Sequence, residues 1–240
     1  MQSCRPPGFD PLDSIDAKSD VVVQDLTLGT VVLVHGLWLS GWALALLRAR
    51  IAQRGYRTVT FSYASVADDL DVNARRLAAF SRLQPGRTIH FAGHSLGGLL
   101  ILRMLALEPE RRCGRVLLIG SPVRDSLAMR GLSRLSAGRT LMGAALEQWY
   151  SVPRPDLGLR NEIGVIAGSL GFGLGTLVAK LPAPHDGTVT VDETRCDSMT
   201  DHVVLPVSHT GMLTSVRVAD EACRFLDTGR FTHGGRARNR

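Results

Sequence analysis

Short apolar segments alternate with longer amphipathic segments along the chain, and this alternation predicts the order of strands and helices. The first clear apolar segment, 30–36, reads TVVLVHG, as expected for a strand covered on both faces. The next segment, 42–55, repeats apolar residues at helical spacing and ends at a glycine. A strand, a helix and a further strand in this order indicate a mainly parallel sheet.

The same alternation continues to the end of the chain. Ser65 and Asp68 have the spacing of a capping box, which predicts a helix that begins there and runs to Leu83. The predicted fold class is α/β, a mainly parallel doubly wound sheet with helices on both faces. The other predicted strands are 56–64, 87–95, 114–122, 161–170 and 201–208, and the other predicted helices are 96–109 and 212–226.

Residues 124–160 differ in character from the rest of the chain, because Leu, Met and Trp recur there among Arg, Ser and Gly. A plain crossover helix has this composition too, but we favour a small helical cap over the strand ends that lines an apolar pocket. The length of 240 residues and a hydrophobic content of 45% predict one domain. We expect it to span 21–228, after a flexible arm (1–20) and before a loose basic tail (229–240).

Composition and charge exclude several classes of protein. The first twenty residues lack the apolar core of a secretory signal, and the chain has no apolar run of the roughly 18–20 residues that span a bilayer, so we expect a cytoplasmic protein. The net charge is +6, but the basic residues are spread along the chain. We therefore expect no specific nucleic-acid partner, and only weak membrane-surface contact through the tail. Scattered cysteines and the absence of metal-ligand spacing predict no metal and no cofactor.

The pentapeptide 93–97, GHSLG, has the G-x-S-x-G form of a nucleophile elbow. The pentapeptide alone is weak evidence, because a small residue at any turn from a strand into a helix can produce it. Its place between a predicted strand and a predicted helix is the context that the motif requires. A serine hydroxyl needs a base to become a nucleophile, so Ser95 requires a histidine partner.

Position along the strands selects His209 among the seven histidines. Ligands of a parallel sheet bind beyond the carboxyl ends of the strands, and His209 follows the last predicted strand there. His202 opens the same strand and belongs at the opposite edge. His35 is expected to be a hydrogen-bonded structural residue, and His94 is expected to pack beside the site and contact the substrate.

The acid that orients the histidine has three candidates in LPAPHDGTVTVDETR, namely Asp186, Asp192 and Glu193. We favour Asp186, because an Asp-Gly turn projects its carboxylate from the rim, although a plain turn aspartate has the same sequence. Asp192 is the second choice. The order Ser, Asp, His along the chain is that of α/β hydrolases.

The turn after the first strand supplies a candidate oxyanion hole. The N–H groups of Leu37 and Leu96 are placed to stabilise a developing negative charge. Trp38 and Leu39 are predicted to line the substrate pocket.

Together these motifs resemble the α/β-hydrolase superfamily, in particular its compact lipase- and esterase-like members. The resemblance rests on HG at the oxyanion turn, GHSLGG at the elbow, DGTV at the acid and a late His, and it covers about residues 30–226. It implies a triad of Ser95, Asp186 and His209 that cleaves carboxylic esters through an acyl-enzyme. Many such lipases carry Thr-Pro-His after the fourth strand, where this chain has 121–123, SPV, a difference that bears on pocket shape.

Three rival interpretations stay open beside this one. The run GFGLG at 171–175 alternates glycines as G-x-G-x-G, which differs from a dinucleotide-binding motif and predicts a flexible rim loop. An acyltransferase or thioesterase would use the same triad. A hydrolase-fold protein that only binds is the remaining alternative.

The leucine-rich cap favours a small ester substrate with an apolar acyl group.

Overall fold

Alternate residues of the first strand point to opposite faces of the sheet, and both faces are apolar. A computed structural model shows β1 (Thr30–Val34) completely buried. Val32 and Val34 pack in one apolar cluster, whereas Val31 and Leu33 pack in a second cluster on the other face. The structure describes residues 28–108, 113–135, 138–151 and 161–233.

Six parallel strands form one sheet in the described part of the chain, in the order β2-β1-β3-β4-β5-β6. The predicted parallel sheet is confirmed. The chain runs outward from β1 to β2 and then returns to β3, so the strand order reverses between β1 and β3. Ligands of open α/β sheets bind at such a reversal. The other strands are β2 (Arg57–Phe61), β3 (Ile89–His94), β4 (Cys113–Ile119), β5 (Ile163–Gly168) and β6 (Asp201–Leu205).

Helices cover both faces of the sheet, which confirms the doubly wound architecture. Leu77 of α2 and Leu99 of α3 belong to one apolar cluster, and Ile51 of α1 and Phe225 of α8 belong to the other. Over the ranges that the structure describes, no helix has the length and apolar content needed to cross a membrane. The helices are α1 (Ala45–Gln53), α2 (Leu70–Arg82), α3 (Leu96–Leu107), α4 (Leu127–Ser133), α5 (Gly138–Met142), α6 (Ala144–Ser151), α7 (Gly175–Val178) and α8 (Val216–Thr228).

The second helix begins later than the sequence predicts. Asp69 is its N-cap, and the Asp69 carboxylate accepts a hydrogen bond from the N–H of Val72 at 2.8 Å. The Ser65 hydroxyl instead accepts a hydrogen bond from the N–H of Trp38 at 3.2 Å. The predicted start at Ser65 is therefore wrong, because this serine is used by a distant loop instead of by the helix that follows it.

The region predicted as a cap contains the short helices α4, α5 and α6. The indole N–H of Trp149 donates to the carbonyl of Val123 at 3.4 Å, which ties α6 to the end of β4. The side-chain carbonyl of Gln148 accepts from the N–H of Leu70 at 2.7 Å, which ties α6 to the start of α2. These two bonds attach α6 to the segment after β4 and to α2, and Ala145, Leu146 and Trp149 of α6 pack in the same apolar cluster as α2 and α3.

The chain stays packed beyond the predicted end of the domain. Phe231 is 3% exposed and its ring stacks on Phe225, with 4.9 Å between the ring centroids. The N–H of Phe231 donates to the carboxylate of Asp201 at 2.8 Å. The prediction of a loose tail is wrong for 229–233, because an aromatic residue there completes the core. The predicted arm and residues 234–240 lie outside the described residues.

Candidate active site

Ser95 lies at the sharp turn from β3 into α3, as the elbow motif predicts. Its backbone has φ 54° and ψ −122°, a left-handed conformation that is rare for residues other than glycine. The Ser95 N–H donates to the carbonyl of Ile119 at 2.9 Å, which holds the turn against the end of β4. Its neighbours His94 and Leu96 are buried, while Ser95 itself is half-exposed. The turn therefore presents the hydroxyl toward the rim of the sheet.

Glycines let the strands and the helix approach closely around this turn. A Cβ at Gly97 would lie 2.3 Å from the carbonyl oxygen of Val34 in β1. A Cβ at Gly93 would lie 2.5 Å from the backbone nitrogen of Gly98. Both distances are far below van der Waals contact, so larger residues at these positions would displace α3 from the sheet.

The turn after β1 lies directly against the elbow. A Cβ at Gly36 would lie 3.1 Å from the Cβ of Ser95. The N–H of Leu37 and the N–H of Leu96 donate no hydrogen bond within the described ranges. Both N–H groups thus remain the candidate oxyanion donors that the sequence predicts.

His35 fixes the orientation of this turn. Its Nδ1 donates to the carbonyl of Gly36 at 2.9 Å, and its Nε2 accepts from the N–H of Tyr63 at 3.3 Å. Burial lowers the pKa of His35, which favours the neutral ring that these two bonds require. Because a trans peptide directs its C=O and N–H to opposite sides, a fixed Gly36 carbonyl also fixes the Leu37 N–H. This agrees with the structural role predicted for His35.

Asp186 and His209 form a buried pair on the same rim. The Nδ1 of His209 donates to the Oδ2 of Asp186 at 2.7 Å, and the His209 N–H donates to the Asp186 carbonyl at 2.9 Å. Asp186 is 1% exposed and His209 is 8% exposed. Since a carboxylate accepts, Nδ1 carries the proton and Nε2 keeps the lone pair that a general base uses.

The carboxylate of Asp186 is held by its own turn. Its Oδ1 accepts from the N–H of Thr188 at 2.9 Å and from the N–H of Val189 at 2.7 Å. The second candidate, Asp192, has a side chain that is 80% exposed and lies 3.5 Å from Arg124. The structure therefore pairs His209 with Asp186, the candidate that the sequence favours.

The end of β4 brings this pair next to the elbow. A Cβ at Gly120 would lie 3.3 Å from the Nδ1 of His209 and 3.4 Å from the Oδ2 of Asp186. The preceding residue, Ile119, accepts the Ser95 N–H. The three predicted triad residues therefore surround one strand end.

His94 supports His209 from below. Its Nε2 donates to the carbonyl of His209 at 3.1 Å, and the two ring centroids are 4.8 Å apart. Burial is the main cause that lowers the pKa of His94 to about 3, so the ring is neutral. His94 is 2% exposed. This burial contradicts the expected substrate contact, because the His94 ring packs against His209 and has almost no exposed surface.

The two residues predicted to line the pocket differ in their surroundings. Trp38 is 53% exposed and has φ 58°, a strained backbone angle for a bulky residue. Leu39 packs against the apolar cluster beneath α1 and α8. The Trp38 side chain is therefore exposed beside the turn that follows β1, whereas the Leu39 side chain contributes to the core.

The glycine-rich segment after β5 packs on the turn that holds Asp186. A Cβ at Gly175 would lie 2.7 Å from the Cα of Thr188. The segment includes the short helix α7 and exposes four large apolar side chains beside the site. They are Leu170, Phe172, Leu174 and Leu177, of which Phe172 is 82% exposed.

Glu193, the third candidate for the acid, is buried, and the sequence interpretation missed its structural role. Its Oε2 accepts from the N–H of Thr190 at 2.7 Å, and its own N–H donates to the Thr190 hydroxyl at 3.2 Å. This reciprocal arrangement is a capping box, and the spacing T-x-x-E at 190–193 was a signal that could have found it.

A cavity of about 420 Å³ lies elsewhere on the molecule. It opens at the start of β4 and β5, at the edge of the sheet opposite Ser95. The triad candidates are not part of its lining, which comprises Thr88, His90, Cys113, Gly114, Arg115, Asn161 and Glu162.

Residues 31–162, more than half of the chain, match the model of the Alpha/beta hydrolase family. The chain therefore belongs to this family. No curated protein sequence matches it significantly.

Solved structures of enzymes have a similar fold. The mature lipase BlEst2 of Bacillus licheniformis is 18% identical with a TM-score of 0.67, and the match covers 83% of this chain and 91% of that one. The carboxylesterase CesB of Bacillus subtilis is 13% identical with a TM-score of 0.53 and 84% coverage of both chains. The pyrethroid hydrolase PytH is 15% identical with a TM-score of 0.60, and the match covers 84% of this chain and 98% of that one. Identities this low show similarity of fold alone.

Proposed function

We propose that the protein is a serine hydrolase that cleaves carboxylic esters with apolar acyl groups. The observation that carries the proposal is the strained Ser95 at the elbow, beside a buried His209–Asp186 hydrogen bond of 2.7 Å. A strained backbone is retained where function requires it, and a Ser-His-Asp constellation on this rim is suited to acyl transfer. The lipase and the carboxylesterase among the similar structures are consistent with this chemistry.

The reaction proceeds through an acyl-enzyme. The Nε2 of His209 removes the proton from Ser95, and the Ser95 oxygen attacks the carbonyl carbon of the ester. The N–H groups of Leu37 and Leu96 stabilise the oxyanion, and protonated His209 then gives its proton to the departing alcohol. Water, deprotonated by His209, attacks the acyl carbon; His209 then returns the proton to the Ser95 oxygen as the bond to the acyl group breaks and the carboxylic acid leaves. Asp186 holds the imidazole and stabilises its cationic form.

The surroundings of the site support an apolar acyl group. Trp38 lies exposed at the oxyanion turn, and Phe172 and Leu177 are exposed on the segment that covers the Asp186 turn. Exposed apolar groups next to a polar reaction centre favour an apolar ligand portion.

Hydrolysis of p-nitrophenyl acetate, butyrate and octanoate tests the proposal. We expect the wild-type protein to release p-nitrophenol, with a higher kcat/KM for butyrate or octanoate than for acetate. Ser95→Ala is expected to lower kcat by about 10⁴-fold or more, because the nucleophile is lost. Equal turnover by Ser95→Ala would refute the mechanism, and a preference for acetate over both longer chains would refute the apolar pocket.

A further inference from the structure

The Glu193 side chain joins the turn that holds Asp186 to the first helix of the cap region. It is 4% exposed, and its two carboxylate oxygens accept from different segments of the chain. Oε2 accepts from the N–H of Thr190 at 2.7 Å, and Oε1 accepts from the N–H of Leu127 at 2.6 Å. One buried carboxylate thus connects two segments that are 63 residues apart in sequence.

On one side this carboxylate holds the end of the acid turn. Thr190 forms an isolated bridge with His185, the residue that precedes Asp186. Between them, the N–H groups of Thr188 and Val189 donate to the Asp186 carboxylate. The acid turn is therefore hydrogen-bonded continuously from Asp186 to Glu193.

On the other side Glu193 holds the start of α4. Leu127 is the first residue of this helix, after the N-cap Ser126. The Glu193 carbonyl also accepts from the N–H of Arg124 at 3.0 Å, so the entry into α4 is attached at two points. These residues follow Gly120, which adjoins the His209–Asp186 pair. A Cβ at Gly175 would lie 3.2 Å from the Cβ of Ala128 in α4 and 2.7 Å from the Cα of Thr188, so α4 lies beside the segment that packs on the Asp186 turn.

The buried charge is costly unless its hydrogen bonds are made. Desolvation is the main cause that raises the pKa of Glu193, and the N–H groups of Thr190 and Leu127 oppose this shift. A buried acceptor that loses one partner keeps its desolvation cost, so loss of either bond would loosen the connection.

We propose that Glu193 is a positioning residue that fixes α4 against the acid turn and thereby determines which acyl chains the site accepts. This inference rests on the proposed esterase function. The inference predicts an effect on long acyl chains, which would extend beyond Ser95 toward α4, and none on an acetyl group, which would stay at Ser95. A purely structural residue would change stability without changing this selectivity.

Leu127→Pro tests the inference, because it removes the N–H that donates to Glu193. Proline is tolerated at the first position of a helix, and the preceding Ser126 has the extended conformation (φ −145°, ψ 99°) that a following proline favours. Leu127→Ala is the matched control, since it loses the same side chain but keeps the N–H. We expect the ratio of kcat/KM for octanoate to that for acetate to be about 3–10-fold lower in Leu127→Pro than in Leu127→Ala, the range of one hydrogen bond.

A second pair of variants tests the same connection from the carboxylate. Glu193→Gln places an amide against two N–H donors and is expected to lower the ratio as Leu127→Pro does. Asp192→Asn, at the neighbouring exposed residue, should leave the ratio unchanged. The inference would be overturned if the octanoate-to-acetate ratio were the same in Leu127→Pro as in Leu127→Ala and the same in Glu193→Gln as in Asp192→Asn. A decrease in kcat/KM that is equal for acetate and octanoate would overturn it too. Absence of any turnover by the wild-type protein would instead refute the proposed function.

Discussion

Ser95 and Trp38 are the non-glycine residues with left-handed backbone angles in the described chain, with φ 54° and 58°. Such angles cost on the order of 1–3 kcal/mol each, and neighbouring contacts must stabilise them. The N–H of Ser95 is held by Ile119, and the N–H of Trp38 is held by the Ser65 hydroxyl. The strain is thus concentrated on the two turns that flank the candidate oxyanion hole.

The identity of the acid leads to a prediction for single residues. Asp186→Asn is expected to lower kcat for ester hydrolysis by about 10⁴-fold, because an amide no longer holds the required tautomer of His209. Asp192→Asn is the control and should stay within about twofold of wild type, since an exposed side chain contributes little. Steady-state kinetics of both variants measure this, and the reverse result would move the acid to Asp192.

At the scale of residues, the sequence predicted those groups whose place follows from a strand end. Ser95, Asp186 and His209 each follow a strand or its loop, so topology alone brings them to one rim. The roles of His94 and Glu193 were not predictable in this way. Their partners, the His209 carbonyl and the Leu127 N–H, are distant in sequence, and only tertiary packing brings them together.

Among the elements, α3 depends most on close approach to the sheet. Gly97 is unfavourable in a helix by about 1 kcal/mol relative to alanine, so propensity alone would make Gly97→Ala stabilising. The new Cβ, however, would lie 2.3 Å from the carbonyl oxygen of Val34. We expect a net loss of about 1–3 kcal/mol in the free energy of unfolding, measured by urea denaturation.

Ala106→Gly provides the control for this prediction in the same helix. Ala106 is exposed, so glycine there should cost only the propensity difference of about 1 kcal/mol. If Gly97→Ala were instead more stable than wild type, α3 could move away from β1 freely, and the close packing of α3 on β1 would not constrain the elbow.

Element boundaries were less predictable than element order. The sequence indicated a helix that begins at Ser65 after β2, but the observed N-cap is Asp69. Asp69 is used because its side chain reaches the N–H of Val72, and Ser65 is engaged by Trp38. The local pattern therefore predicted the type of element, whereas tertiary contacts determine the residue at which it begins.

At the scale of the whole molecule, buried neutral histidines make stability depend on pH. Burial is the main cause that lowers the pKa of His90 to about 4 and that of His94 to about 3. The unfolded chain, with histidines near their usual pKa of 6.5, therefore binds more protons as the pH falls. The contribution of these histidines to the free energy of unfolding should be fully present above about pH 6.5. It should decrease toward pH 4, by up to about 1.4 kcal/mol per pH unit for each histidine.

His90→Asn isolates one of these contributions away from the candidate site. The Nδ1 of His90 accepts from the N–H of Arg115 at 3.0 Å, and an asparagine oxygen can take that place without ionising. Urea unfolding of both proteins at pH 7.5, 6, 5 and 4 gives the free energy of unfolding as a function of pH. The slope for His90→Asn should be smaller than that for the wild-type protein by about 1.4 kcal/mol per pH unit where it is steepest. An unchanged slope would mean that His90 does not carry the effect.

The overall architecture was the most predictable feature, because the alternation of buried strands and amphipathic helices extends over most of the chain. The end of the domain was not predictable, since Phe231 lies in a basic, glycine-rich sequence and yet stacks on Phe225. The composition predicted a loose tail from residue 229, but Phe231 packs in the core through its contact with Phe225.

The most direct test of the central claim is the site of reaction with a fluorophosphonate. The folded protein should gain one adduct by intact mass, and peptide mapping should place it on Ser95, because only an activated serine reacts. Protein denatured before treatment should gain none. A folded protein that shows no adduct, or carries it on another serine, would contradict the assignment of Ser95 as the nucleophile.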